Sequence, residues 1–318
     1  MPRSPAVRFV PPDYAAPRTA DGDPRVGHLL GRALRGGAAD APRAVILGFP
    51  SDTGVVRNGG RPGAADAPAA VRRALGRLTP DARCQDAMQR LLERTLDLGD
   101  LELSGDLERD QSLLAAVASP HLAAGAFVVV LGGGHETTYG HFLAYAALER
   151  RVAILNWDAH ADVRATLDGR GHSGSPFRQA LEHPSGACRS YVVAGLQPQA
   201  LARAHLDWLR EHGCRAVWRS RLTIERVGAL YEALTAPALV SFDLDAVDQA
   251  HAPGVSAPCT GGLGPEVWRE AAWRAGRSPA VTSADVVELN PRFDRDDQTA
   301  RLAAVTVWEL LRGVAERD

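Results

Sequence analysis

The chain has 318 residues, enough for one large domain with a substantial core. Hydrophobic content of 45%, charged content of 23% and a formal charge of −2 describe an ordinary globular protein and give no hint of a nucleic-acid or acidic-membrane surface. No apolar run approaches the roughly 20 residues needed to span a bilayer, and the Pro- and Arg-rich start lacks the apolar core of a signal peptide.

In chain order, residues 1–42 read as a loosely ordered lead-in with one short helix over Val26–Leu34. Residues 43–318 read as a single domain. Ala44–Phe49 is a buried-strand pattern, followed by the Gly-rich loop Arg57–Ala64 and an Arg-bearing helix over Pro68–Leu78. A polar helix over Asp86–Thr95 leads to the short run Leu96–Asp100. A helical pattern over Arg109–Ala118 follows, with Pro120 as its expected end. Phe127–Leu131 is a β-branched strand, Thr137–Arg150 a helix, and Val152–Leu155 opens the central strand. A Gly-rich loop over Asp168–Pro176 precedes a helix from Phe177. Strands are then expected at Tyr191–Leu196, Ala216–Arg219, Ala238–Asp245 and Ala280–Leu289, with helices at Ala200–His212, Ile224–Ala233 and Pro265–Arg274. Continuous apolar strands alternating with helices predict an α/β fold whose parallel sheet is covered on both faces. In such a sheet the site lies beyond the carboxyl ends of the strands, which is where the unusual polar residues fall.

Three strand ends carry them. Gly132-Gly133-Gly134-His135 lacks the Lys-Ser/Thr of a phosphate loop, and its glycines allow His135 to turn back over the strand. After Val152–Leu155, the residues Asp158, His160 and Asp162 alternate at spacing two; read as a strand end, all three leave on one side. Asp243 and Asp245 repeat that spacing. Two imidazoles and four carboxylates are poor core material without a cation. The set suits two divalent ions about 3.5–4 Å apart, with manganese matching the oxygen-rich donors. Two such ions lower the pKa of a water between them, which points to hydrolysis. Glu288, at a fourth strand end, is placed to accept a hydrogen bond from a substrate nitrogen or to steer a proton. The four cysteines are scattered without metal-knuckle spacing, which predicts inert thiols in a reduced, cytoplasmic setting.

These motifs, with Asn58–Ala64 and Pro253–Pro258, resemble the ureohydrolase (arginase) superfamily from about Ala44 to Arg312. The resemblance implies a three-layer αβα domain with a mostly parallel central sheet, two Mn2+ ions, and a trimeric or hexameric homo-oligomer. It implies one ion held by His135, Asp158, Asp162 and Asp243 and the other by Asp158, His160, Asp243 and Asp245, with Glu288 engaging the amidine or guanidine. Within the superfamily, Gly132–His141, Asp162–Arg164 and Gly195–Gln199 look most like the formimidoylglutamase branch. That likeness implies hydrolysis of N-formimidoyl-L-glutamate to L-glutamate and formamide in histidine degradation, with Asp162 passing the proton. Arg164 sits where the family contacts the amino-acid end of the substrate, and a guanidinium there suits a carboxylate. Arg178 is a second candidate for that contact. Ser173 aligns with the family's proton-shuttling histidine; a one-residue slip would put His172 there and favour an agmatinase-like guanidine hydrolase. A metal-binding assembly protein without catalysis is the remaining alternative, and the complete ligand set argues against it.

Overall fold

The computed structural model describes residues 7–19, 22–30 and 41–317. Nine strands form one sheet: β1 (Phe9–Val10), β2 (Ala44–Phe49), β3 (Thr95–Leu101), β4 (Phe127–Gly132), β5 (Val152–Trp157), β6 (Cys188–Leu196), β7 (Arg215–Trp218), β8 (Ala238–Asp243) and β9 (Val281–Val287). Their order is β1-β3-β2-β4-β9-β8-β5-β6-β7. Every pairing is parallel except β1 with β3. The inner strands β2, β4, β5 and β8 are buried along their whole length, as expected when both faces are covered.

The helices divide between those faces. On one side pack α2 (Ala67–Leu75), α3 (Gln85–Glu93), α8 (Ile224–Glu232), α9 (Pro265–Arg277) and α10 (Gln298–Ala315). On the other lie α4 (Leu107–Ala123), α5 (Glu136–Ala147), α6 (Pro176–Leu181) and α7 (Arg203–Glu211). The short α1 (Thr53–Arg57) follows β2. This is the expected three-layer αβα arrangement. Among the described residues no helix is long and apolar enough to cross a membrane.

Two features differ from the sequence reading, and one expected helix is described only in part. Pro120 does not end α4 but sits inside it, in its last full turn. The expected lead-in contains a strand, Phe9–Val10, too short to show alternation in sequence. Residues 26–30 are helical, whereas 31–34 of the expected Val26–Leu34 helix lie outside the described residues.

The lead-in is anchored by a buried ion cluster. Arg72 of α2 donates from Nε and Nη2 to Asp97 of β3 at 2.8 and 2.9 Å, and also pairs with Asp100. The Tyr14 hydroxyl donates to the same Asp97 carboxylate. Burial opposes the charge on Arg72, but the two carboxylates more than offset it and hold its pKa above the ordinary value.

Candidate metal centre

The site is built where β4, β5, β8 and β9 end. Beyond β4, the amides of Gly133 and Gly134 donate to the carbonyls of Phe49 and Ser51 at 3.0 and 2.8 Å. A Cβ on Gly133 would collide with the Ser51 carbonyl oxygen, so this close approach requires glycine. The chain then turns into α5 with His135 at its N-cap. The His135 amide donates to Glu288 Oε1 at 2.8 Å, and the Glu288 amide to the Gly133 carbonyl at 2.7 Å.

The His135 ring is oriented from behind. Its Nε2 lies 3.0 Å from Ser241 Oγ, which donates to Asp285 Oδ1; Asp285 Oδ2 is 2.9 Å from His141 Nδ1. Phe177 meets the ring edge-on, with centroids 5.1 Å apart. This leaves Nδ1 facing three carboxylates, 2.9 Å from Asp162, 2.9 Å from Asp243 and 3.5 Å from Asp158. That nitrogen is close to all three but hydrogen-bonded to none. A second group lies beside it: His160 Nδ1 is 3.1 Å from Asp245 and 3.4 Å from Asp158.

The expected six residues therefore converge, by a different route from the one the spacing suggested. β5 stops at Trp157 and β8 at Asp243. Asp158, His160 and Asp162 meet because the following loop folds back, with Asp162 in the left-handed region at φ 47°. The amides of Asp158 and Gln197 tie that loop to β6 through the carbonyls of Ala194 and Ala159, at 3.0 and 3.1 Å. Asp245 lies in a 3-10 turn capped by Asp243 Oδ1, which accepts its amide at 2.9 Å. That bond uses one of the two lone pairs on the oxygen. By distance Asp243 joins only the group of His135, Asp158 and Asp162, and Asp158 alone is shared with His160 and Asp245.

The electrostatics fit a cation. Burial and repulsion from Asp245 and Asp158 push Asp243 well up, and burial raises Asp245 to about 6. Glu288, at φ 68°, is raised to about 8 by burial and by the neighbouring Glu136 and Asp245. Burial works against the His135 charge, yet Asp162 and Asp243 hold its pKa well above the ordinary value. Among the described residues, the positive partners within ion-pair distance of the four aspartates are these two imidazoles. Four clustered carboxylates and an uncommitted ring nitrogen are the donors a divalent ion takes.

The groups open into a cavity of about 320 Å³ lined also by Asn58, Arg61, Arg164, Ser173, His205, Ser256 and Glu288. Asn58 links two expected contacts: its Oδ1 accepts from Arg164 Nη1 and its Nδ2 donates to Ser173 Oγ, both at 3.1 Å. His172 and Arg178 are not brought to the cavity. His172 is buried, with Nε2 3.0 Å from the Ala165 carbonyl and Nδ1 accepting the Gly174 amide at 3.1 Å, so both ring nitrogens are spent on backbone. Arg178 pairs with Glu182 at 3.0 Å and lies over the Trp208 ring. His172→Gln is accordingly expected to change kcat less than about tenfold and to cost about 1–3 kcal/mol of stability. Parallel kinetics and urea unfolding check both; loss of one limb of the pH–rate profile would restore His172 as a proton carrier.

Sequence reasoning missed Asn58, Asp285, His141 and His205 as site residues. An aspartate in the apolar strand Val281–Val287 was a readable signal; a histidine on an exposed amphipathic helix was not.

The arginase family matches residues 42–312. A formimidoylglutamase of Rhodococcus jostii is 40% identical over 287 residues, covering 86% of each chain. A structure of Trypanosoma cruzi formiminoglutamase with Mn2+ is 33% identical, with a TM-score of 0.83, covering 93% of this chain and 100% of that one. Proclavaminate amidino hydrolase from Streptomyces clavuligerus is 26% identical with a TM-score of 0.77, covering 99% and 100%. With fold, site geometry and these matches in agreement, the chain belongs to the arginase family.

Proposed function

We propose that this protein hydrolyses N-formimidoyl-L-glutamate to L-glutamate and formamide, as in histidine degradation, with two Mn2+ ions. One ion would be held by His135, Asp158, Asp162 and Asp243, the other by Asp158, His160 and Asp245. The observation that carries the reading is His135 Nδ1, held toward three carboxylates by the Ser241–Asp285 relay yet hydrogen-bonded to none of them. When bound, the ions supply a water acidic enough to be a nucleophile near neutral pH and polarise the carbon it attacks.

The chain's own residues do the rest. Glu288 Oε1 is occupied by the His135 amide, leaving Oε2 to receive an amidinium N–H. Water adds to the formimidoyl carbon, the bond from that carbon to the glutamate nitrogen breaks, and the departing amine takes a proton. Asp162, with 13% of its side chain exposed at the cavity wall, is the group placed to pass that proton. Arg164 draws the carboxylate end outward and Ser173 faces the cavity in place of a histidine, which supports an amidine with carboxylates over a cationic guanidine. Four free cysteines fit a cytoplasmic setting, and a trimer or hexamer completes the proposal.

The test compares manganese-loaded and metal-stripped protein on N-formimidoyl-L-glutamate, agmatine, guanidinobutyrate and arginine. Glutamate release is expected only from the loaded protein. Release no faster than from stripped protein, or urea from a guanidine at a higher kcat/KM, would overturn the assignment.

A further inference from the structure

The cavity has a polar outer end where the hydrolysis uses Arg164 but leaves His205 without a role. Its buried end holds Asp243, Asp245 and Glu288; its outer end carries exposed Arg164 and half-buried His205. Arg61 also lines it, but its guanidinium is committed to the carbonyls of Ser256 and Val255 and lies 3.8 Å over the Phe293 ring. Arg164 spends one N–H on Asn58 and keeps the others for a ligand.

His205 differs from the other surface histidines of this region. His183 and His212 commit Nδ1 to Ser185 Oγ and to the Trp208 carbonyl. Among the described residues, neither ring nitrogen of His205 has a hydrogen-bond partner, although the side chain lines the cavity. Burial lowers its pKa, and Arg164 and Arg178 push the same way against an opposing pull from Asp162. That favours the neutral ring, which carries one N–H donor.

One guanidinium pairs in bidentate fashion with one carboxylate. A second carboxylate entering a cavity already walled by acidic groups needs a donor of its own. We propose that His205 supplies it, making His205 and Arg164 a two-point clamp that selects N-formimidoyl amino acids with two carboxylates over those with one. The proposal rests on the hydrolase reading above. It assigns specificity to α7, an element that contributes no metal-cluster residue.

The experiment measures kcat and KM on N-formimidoyl-L-glutamate and on N-formimidoyl-4-aminobutyrate, which lacks the α-carboxylate, for the parent, His205→Ala and His205→Gln. In His205→Ala the KM for the dicarboxylate is expected to rise about 10–100-fold. Its kcat stays within about threefold, because only binding of a non-reacting group is lost, and the monocarboxylate KM stays unchanged. Glutamine, which offers an N–H, restores part of the loss. An unchanged ratio of kcat/KM for the two substrates in His205→Ala, in protein of parental melting temperature, overturns the clamp and leaves the hydrolase intact. Failure of the parent to cleave either substrate overturns both readings, and is recognised by that baseline.

Discussion

Asp158→Asn is expected to lower kcat on N-formimidoyl-L-glutamate by about 10³-fold or more and to release bound manganese on dialysis. Asp158 is fully buried and is the one carboxylate within reach of both imidazoles. Asparagine keeps its shape but removes a negative charge from both ligand groups at once. Divalent-ion polarisation contributes several kcal/mol to such a reaction, and each 1.36 kcal/mol is a factor of ten. The amide also conflicts with its neighbours: Oδ1 accepts the His160 amide at 2.6 Å and Oδ2 accepts Asn156 Nδ2 at 2.9 Å, and an amide can accept at only one of those places. Without metal a stability loss of about 1–3 kcal/mol is also expected, because burial opposes but His160 and His135 favour the Asp158 charge, and the amide leaves one buried donor unpaired. Elemental analysis, kinetics and melting in chelator are the measurements. Metal retention with activity within tenfold of the parent would show that Asp158 is not the shared ligand.

The second large effect is on stability, far from the site. Arg72→Ala should cost about 3–5 kcal/mol, because it strands buried carboxylates without their cation. Arg72 is 1% exposed and Asp97 also 1%, so water cannot replace the lost bonds. Burial already pushes Asp100 upward even with the guanidinium present. Replacing Arg72, Asp97 and Asp100 together with apolar residues of similar volume should recover much of the loss, since the penalty comes from unpaired charge and not from a missing contact. Urea unfolding of the single and triple variants decides it. A single-variant loss below about 1 kcal/mol would mean that the cluster is open to solvent.

How much of this was legible in sequence depends on the length of the signal. β2 and β4 are continuous runs of six residues without a polar side chain and β5 opens with four apolar residues, and the reading found each of them. The edge strand at Phe9–Val10 has two residues and exists only through pairing with β3, which no local pattern encodes. At the site, the six clustered residues were readable because charge without apolar compensation stands out at a strand end. Their convergence was right for the wrong reason: the loop carrying Asp162 reverses at a positive φ, which alternation cannot foresee. Whether His172 or Ser173 meets the cavity turned on two backbone hydrogen bonds, and Asn58 reaches Ser173 across 115 residues. Tertiary choices of that kind have no sequence period.

His135 and Glu288, bonded to each other beyond the ends of β4 and β9, stand 153 residues apart in the chain. At about 5–20 residues per second, a ribosome needs on the order of ten seconds to deliver the second after the first. During that interval the early aspartates are exposed without the late ones, so the nascent chain has only part of its ion cage. Because β9 lies between β4, which leads to His135, and β8, which ends at Asp243, the two parts of the cage meet only once β9 has joined the sheet.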